Sequence, residues 1–419
     1  MREGRVRHRA GETVPRDRFG PIVVPTSAVR RSTRHELVDL RKFGFIPGVS
    51  GGARGFNQQG DVVTQTADGR DLNQIWGDFQ AALAMYNADR DRLFGAITFG
   101  VTQPIEDVFQ GGDTVDFEEA SEFGVPVGIR AALPTYFSLG YLFKWYDLAV
   151  RYTMMFLAEA TTQQVDSLNN SAVEADNRLM FDKVMKQIFN NVTRAATIQG
   201  NNFNVYPIYN GDTVVPPRYK TTVHTAPHTH FLVSGGATVD PGDLADIENH
   251  LKHHGYGWRE GTTLVLLANS AQVNTIRTFR VATGAAYDFI AAQGAPPWAL
   301  TEADLLANAG AAPPSQFRGL PVEGRYGPWM VIEDDLIPAG YLVGLASGGD
   351  NDARNLVGVR EHAQSGLRGL RLVKGPDNDY PLIDSYYLRG FGTGIRQRGA
   401  GVVMQIKASG TYDVPSAYA

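Results

Sequence analysis

Cysteine is absent from the 419-residue sequence. Its absence excludes disulfide bonds, thiolate metal ligands and a cysteine nucleophile, and is typical of proteins from a reducing compartment. Long apolar runs are also missing, because Ala131–Phe143 and Leu336–Gly349 fall short of the ~18–20 apolar residues that cross a bilayer. No apolar segment follows the Arg-rich start of the chain, so we expect neither a secretion signal nor a membrane partner.

Charge is unevenly distributed along the sequence. Residues 1–42 carry 11 basic and 5 acidic groups, a net +6, in a chain whose formal net charge is −5. Residues 100–129 contain seven acidic side chains and neither Lys nor Arg. A basic arm on an acidic body favours a polyanionic partner or a neighbouring copy of the chain, and a solvated tail is the third interpretation.

Apolar periodicity predicts three helices in the first half of the chain. The first covers Leu72–Ala88 and begins after Asp71, and the second covers about Trp145–Val165. The third begins at Ser171, which has a glutamate three positions later in a capping-box pattern, and runs to about Ala196.

The other elements are predicted from turn and cap signals. Gly111–Asp113 predicts the turn of a projecting acidic hairpin, which is marginal in water unless it lies on another surface. Asp240-Pro241 starts a helix that ends at Gly255, and Thr263–Ala268 is a buried strand followed by a helix cap. Residues 385–408 form β-rich segments punctuated by glycine.

Histidines are the strongest candidates for metal chemistry. Six of the nine fall in one short stretch: His224, His228, His230, His250, His253 and His254. Zinc accepts imidazole ligands, but two of these histidines sit at a helix C-terminus, which favours them anyway. No H-E-x-x-H pattern is present, so no metal ligand is predicted.

Three further motifs do not carry chemistry. The G-x-S-x-G match at Gly48–Gly52 lacks the preceding strand and following helix that a nucleophile elbow needs. The glycines Gly392 and Gly394 precede a strand-like segment rather than a phosphate-binding helix. The acidic run Glu333–Asp335 is typical of a solvated turn. We therefore predict no catalytic residue and no cofactor, and a protein that is not an enzyme.

Three segments follow one another along the sequence: a predicted helix at Ser171–Asn191, strands around a Pro-x-Gly turn at Val331–Ala346, and β-rich segments at Tyr386–Ile406. In this order they resemble the spine helix, the axial-domain strands and the closing strands of the major capsid protein of tailed bacteriophages, with the Hong Kong 97-type fold. The resemblance covers about residues 71–412.

The resemblance implies an α+β fold with six parts. They are an N-terminal arm (1–70), an N-terminal helix (71–99), an extended acidic loop (100–140), a peripheral domain with the spine helix (141–204), a mixed α/β axial domain (205–380), and a return to the peripheral domain with a C-terminal tail (381–419).

The implied function is self-assembly into pentamers and hexamers of an icosahedral shell around double-stranded DNA. Implied partners are further copies of the chain, a separate scaffolding protein, a portal, decoration proteins and non-specifically contacted DNA. The implied location is the virion capsid, with assembly in the host bacterial cytoplasm. An encapsulin-like compartment shell and a metal-dependent hydrolase using the histidines are the alternatives.

Opposite charges on the arm and the acidic loop lead us to expect that both contribute to the assembly interface. The residues expected there are Arg2, Arg5, Arg7, Arg9, Arg16, Arg18, Asp113, Asp116, Glu118, Glu119 and Glu122.

Overall fold

The computed structural model describes residues 63–109, 119, 120, 122, 124, 136–150, 152–198, 200–294 and 312–419. Most of the predicted arm and of the acidic loop, including the predicted turn at Gly111–Asp113, therefore lies outside the described residues. The division of the chain into arm, loop, peripheral and axial domains stays a prediction.

Helices and strands alternate irregularly along the described chain. The α-helices are α1 (Leu72–Gly95), α2 (Met154–Glu159), α3 (Thr162–Phe189), α4 (Pro241–Lys252) and α5 (Ser270–Ile276). The strands of the first half are β1 (Thr98–Val101), β2 (Ile105–Phe109), β3 (Tyr136–Gly140), β4 (Leu142–Leu148), β5 (Arg194–Ile198), β6 (Asn201–Val205), β7 (Phe231–Val233), β8 (Thr263–Ala268) and β9 (Phe289–Ala291). Those of the second half are β10 (Gln316–Phe317), β11 (Leu320–Pro321), β12 (Gly324–Tyr326), β13 (Trp329–Glu333), β14 (Tyr341–Ser347), β15 (Val357–Arg360), β16 (Leu370–Val373), β17 (Tyr386–Ile395) and β18 (Gly401–Gln405).

The largest sheet has seven strands in the order β7-β18-β14-β8-β13-β12-β9. Strand β8 lies between β14 and β13, so the two strands predicted around the Pro-x-Gly turn join one sheet without pairing with each other. All seven residues of β14 are buried, which is typical of a strand covered on both faces.

A five-stranded sheet is organised around β17. Strands β15 and β16 pair with one edge of β17, β4 pairs with its other edge, and β1 extends the sheet beyond β15. A third sheet, in the order β2-β3-β6-β5, contains the base of the predicted acidic hairpin. There β2 and β3 pair antiparallel from Ile105–Gly140 to Phe109–Tyr136.

Helix α3 is the spine of the described body, since its two halves enter different apolar cores. Its C-terminal half, including Val184 and Ile188, joins the core around the seven-stranded sheet. Its N-terminal half, including Val165, packs with α1 and with Leu370 and Tyr387 of the five-stranded sheet. The helix has 28 residues and is therefore about 42 Å long.

The predicted start of the spine helix at Ser171 is wrong. The helix begins nine residues earlier, where the hydroxyl of Thr161 caps it and Gln164 completes a capping box. The carboxylate of Asp68 accepts hydrogen bonds at 3.1 Å from the Thr162 N–H in the first turn, which favours a helix N-terminus there. Ser171 lies inside the helix and donates to the carbonyl of Ser167. The helix also ends earlier than predicted, at Phe189, and residues 194–198 form β5.

The predicted helix over Trp145–Val165 is wrong as well. Trp145 lies in β4, which pairs with β17, and a short helix begins only at Met154 after a cap by Thr153. Locally signalled elements are confirmed: α1 begins at Leu72, α4 begins at Pro241 after the cap Asp240, and the bounds of β8 match the prediction.

Candidate assembly surface

The predicted interface residues lie mostly outside the described part of the chain. This applies to Arg2, Arg5, Arg7, Arg9, Arg16, Arg18, Asp113, Asp116 and Glu118. Glu119 and Glu122 are described and exposed, and neither residue lies in a helix or strand. Their role at an interface stays a prediction. The described part of the chain presents surfaces that a neighbouring copy could contact.

The base of the acidic loop is fixed to the body through Glu106 of β2. Its carboxylate accepts a hydrogen bond from the Tyr141 hydroxyl at 3.0 Å and lies 3.0 Å from the guanidinium of Arg396. Burial and the adjacent Glu106 raise the pKa of Tyr141, so the phenol stays protonated and donates. These contacts therefore fix the position at which the two strands of the loop, β2 and β3, leave the body.

Glycines at alternate positions of β17 leave one face of this strand without side chains over three positions. Gly390, Gly392 and Gly394 share this face because side chains alternate along a strand. A Cβ on Gly390 would lie 2.5 Å from the ring of Trp145, and one on Gly394 would lie 2.7 Å from the ring of Tyr141. The glycines thus make room for the aromatic side chains of the neighbouring strand.

Aromatic and cationic groups cover this glycine row. We call Phe143, Trp145, Arg360 and His362 the aromatic face. The rings of Phe143 and Trp145 meet edge to face with centroids 5.2 Å apart, and His362 lies 6.1 Å from Trp145. Trp145 remains 46% exposed, which is unusual for so large an apolar side chain.

Two arginines give this side of the sheet positive charge, which the exposed acid Asp147 of β4 partly offsets. The Arg360 guanidinium lies 5.2 Å from the Phe143 ring centroid and donates to the carbonyl of Tyr141 at 3.1 Å. Arg371 lies opposite Leu388, so the alternation of side chains places it on the same side of the sheet as Gly390. Exposed aromatic and arginine side chains are the types most enriched at protein interfaces.

The outer edge of β4 adds to this surface. Among the strands that the structure describes, β4 pairs only with β17, which leaves its other edge without a partner strand there. An open strand edge presents backbone donors and acceptors to any further strand. Exposed apolar side chains follow close by at Leu148, Met154 and Met155.

A second exposed surface lies at the far end of the seven-stranded sheet. An open groove of about 970 Å³ is lined there by Trp258, Val281 and Tyr287, each of which exposes 47% of its surface or more. The Arg259 guanidinium lies over the Trp258 ring, 5.1 Å from its centroid. This groove is a further candidate contact between copies of the chain.

Four of the six clustered histidines converge on one point. The Nε2 atoms of His228, His230 and His254 lie 3.0–3.2 Å from one another, and that of His253 lies 3.1 Å from His228. The ring of His224 stacks on His254, and His250 is bound through its Nδ1 to the carbonyl of Asp246. The spacing of the histidines in the sequence does not by itself predict this convergence.

The remaining sequence motifs lie in a strand, in a turn or outside the described residues. Gly392 and Gly394 lie within β17, so the dinucleotide-loop interpretation stays rejected. Asp334 caps a turn by accepting from the Leu336 N–H, and burial raises its pKa. Residues 48–52 lie outside the described residues. None of the described helices is long and apolar enough to span a membrane.

One of the solved structures similar to this chain also has high sequence identity to it. A structure described as "Mycobacterium phage Patience" is 43% identical, covers 88% of this chain and 98% of its own, and has a TM-score of 0.65. "Capsid of native GTA particle computed with C5 symmetry" is 13% identical over 74% of this chain and 94% of its own, with a TM-score of 0.39.

An encapsulin is a more distant neighbour. The "holo-SrpI encapsulin complex from Synechococcus elongatus PCC 7942" is 12% identical, covers 90% of this chain and 97% of its own, and has a TM-score of 0.40. No protein-family model and no curated protein sequence matches this chain.

Proposed function

The chain belongs to the family of tailed-bacteriophage major capsid proteins with the Hong Kong 97-type fold, and we propose that its copies form pentamers and hexamers of an icosahedral shell that encloses double-stranded DNA. The observation that carries this proposal is the 43% identity to a solved phage structure over 88% of the chain. The exposed surfaces of the body support it, because a shell subunit must leave faces that only another copy completes.

In this proposal the acidic loop of one copy lies on the aromatic face of its neighbour. The loop segment 100–129 carries seven acids and no Lys or Arg, whereas the aromatic face carries Arg360 with Arg371 on the same side. Complementary charges set register and partner choice more than affinity. The exposed ring of Trp145 then supplies apolar area at the centre of the contact.

The basic arm contributes a second contact. Its arginines, among them Arg2, Arg5 and Arg7, would meet acidic surface of a neighbouring copy, and non-specific contact with phosphates of the packaged DNA is a secondary role. A separate scaffolding protein, a portal and decoration proteins complete the proposed set of partners. The proposed location is the virion capsid, after assembly in the host bacterial cytoplasm.

The proposed role is structural rather than enzymatic. An encapsulin-like compartment is not favoured, because the neighbour of high identity is a phage structure. Packaged DNA in native particles would support the proposal, whereas a co-purifying enzyme cargo without DNA would favour the compartment shell.

A charge reversal on the aromatic face tests the proposed docking of the loop. The change is Arg371→Glu in the full chain, and the readout is particle yield by size-exclusion chromatography with light scattering. We expect a loss of about tenfold or more, because like charges brought together at an interface cost several kcal/mol. Raising the ionic strength should also reduce assembly of the unmodified chain, since salt screens exposed charges.

Arg178→Glu is the matched control. Arg178 is exposed on α3, on the other side of the five-stranded sheet, and allows the same change of charge away from both the aromatic face and the groove around Trp258. Its particle yield should match that of the unmodified chain. Equal losses in both variants, or in neither, would contradict docking at the aromatic face.

A further inference from the structure

Four histidines reach one point from two segments that are distant in sequence. His228 and His230 are two residues apart just before β7, so their side chains point to the same side of an extended chain. His253 is the C-cap of α4 and His254 follows it. Because β7 pairs with β18 and α4 packs on that sheet, the fold itself brings the two pairs together.

Four of the six separations between the Nε2 atoms are close to those of a single tetrahedral metal centre. Four of the pairwise distances are 3.0–3.2 Å, and the ligand atoms of all four histidines lie within 4.8 Å of one another. A tetrahedral zinc ion with Zn–N bonds of about 2.0–2.1 Å places its ligand nitrogens roughly 3.3–3.4 Å apart.

Hydrogen bonding among the rings does not account for this convergence. A neutral imidazole Nε2 carries either one proton or one lone pair and therefore makes one such bond. The Nε2 of His228 faces three other Nε2 atoms at 3.1–3.2 Å. A hydrogen bond between two histidines can therefore explain only one of these three contacts. The other two must have another cause.

The tautomer of His230 is the one that a metal ligand needs. Its Nδ1 lies 2.7 Å from the carbonyl oxygen of Gly401, so Nδ1 carries the proton and donates it. The Nε2 lone pair is then directed into the cluster, as in metal sites where a second hydrogen bond fixes the ligand ring. His230 is fully buried, so its orientation is fixed by packing as well.

An aromatic ring shields the cluster on one side. The ring of Tyr209 stacks on His254 with centroids 5.2 Å apart and covers one side of the cluster.

We propose that His228, His230, His253 and His254 bind one zinc ion through their Nε2 atoms. Four imidazoles complete the tetrahedral shell and leave no open position for water, so the site is structural rather than hydrolytic. The ion links the segment before β7 to the end of α4, and through Gly401 to β18. Carboxylates do not belong to the cluster among the described residues, which also disfavours a hydrolase.

Metal content tests the proposal directly. The full untagged chain is stripped with a chelator, reloaded with zinc sulfate, desalted and measured by elemental mass spectrometry. We expect about one zinc per chain, and its loss in His228→Gln and His253→Gln. His250→Gln is the matched control, because His250 is on the same helix but binds Asp246, and it should keep the metal. Zinc far below one equivalent in the unmodified chain, or equal zinc in all variants, would overturn the proposal.

Two readouts on the unmodified chain keep the test decisive if a variant fails to fold. Cobalt(II) in place of zinc should give the intense visible absorption of a tetrahedral centre, and a weak octahedral spectrum would contradict four histidine ligands. Zinc should also raise Tm relative to the stripped chain, since a ligand of the native state stabilises it by mass action. An unchanged Tm would count against a structural ion. Neither result depends on whether particles form.

Discussion

The two faces of β17 differ in what covers them. On one face Tyr387, Arg389 and Phe391 are buried beneath α3, with the Tyr387 hydroxyl donating to Asn169 at 2.6 Å. On the other face Gly390, Gly392 and Gly394 alternate with them and support the aromatic face. One face of this strand is therefore buried within the subunit, whereas Trp145 on the opposite face is 46% exposed.

The difference shows how one subunit divides its apolar and charged groups between folding and assembly. Arg389 is paired within the chain, with Glu361 at 3.3 Å and with Asp176 at 3.9 Å, and is 6% exposed. Arg360 and Arg371 belong to the opposite face, where a neighbouring copy can reach them. Substitutions on the helix side should therefore change stability, and those on the open side should change assembly.

The largest effect is expected for Arg389→Met. Removing the guanidinium breaks the buried pair of Arg389 with Asp176, and breaking a comparable buried pair costs about 3–5 kcal/mol. Urea unfolding of the subunit should show this loss. The double variant Arg389→Met with Asp176→Leu should recover much of the stability, because it removes both charges. A double variant no more stable than the single one would contradict the pairing.

A smaller loss is expected for Gly392→Ala. A Cβ at this position would overlap the carbonyl oxygen of Leu142 on β4, and such overpacking costs about 1–3 kcal/mol. Thermal unfolding should show a lower Tm. Gly366→Ala is the control, because nothing lies within 4 Å of a Cβ there and its Tm should be unchanged. Equal Tm values for the two variants would mean that the β4–β17 contact is looser than described.

The smallest effect on stability, with a clear loss of assembly, is expected for Trp145→Ser. The ring is half exposed in the single chain, so subunit unfolding should change by about 1 kcal/mol or less. Particle yield should fall because the apolar centre of the proposed contact is gone. Met85→Ser, on the exposed side of α1, should change neither quantity. Normal assembly of the Trp145 variant would place the interface elsewhere.

Elements with local signals were predictable from the sequence. The start of α4 follows from Asp240 and Pro241, and β8 from its apolar run, because caps and runs act over a few residues. The start of α3 was not predictable, since two capping patterns lie ten residues apart and the choice is reinforced by Asp68, far away in the chain.

The candidate surface and the histidine site depend on contacts distant in sequence. Trp145 fits a helical pattern in its own segment, and only the glycine row of β17 explains why it lies in a strand. Likewise, the six histidines are evident in the sequence, but the convergence of four requires the pairing of β7 with β18. The α+β fold class, by contrast, is implied by the resemblance to the capsid family and is confirmed.

Electron microscopy of the expressed full chain tests whether its copies build a shell. We expect closed particles of uniform diameter with icosahedral symmetry, built from pentamers and hexamers. Light scattering on the same sample should give a mass many times that of the 45.7-kDa chain. A monodisperse monomer that persists at high protein concentration and low salt would contradict the claim.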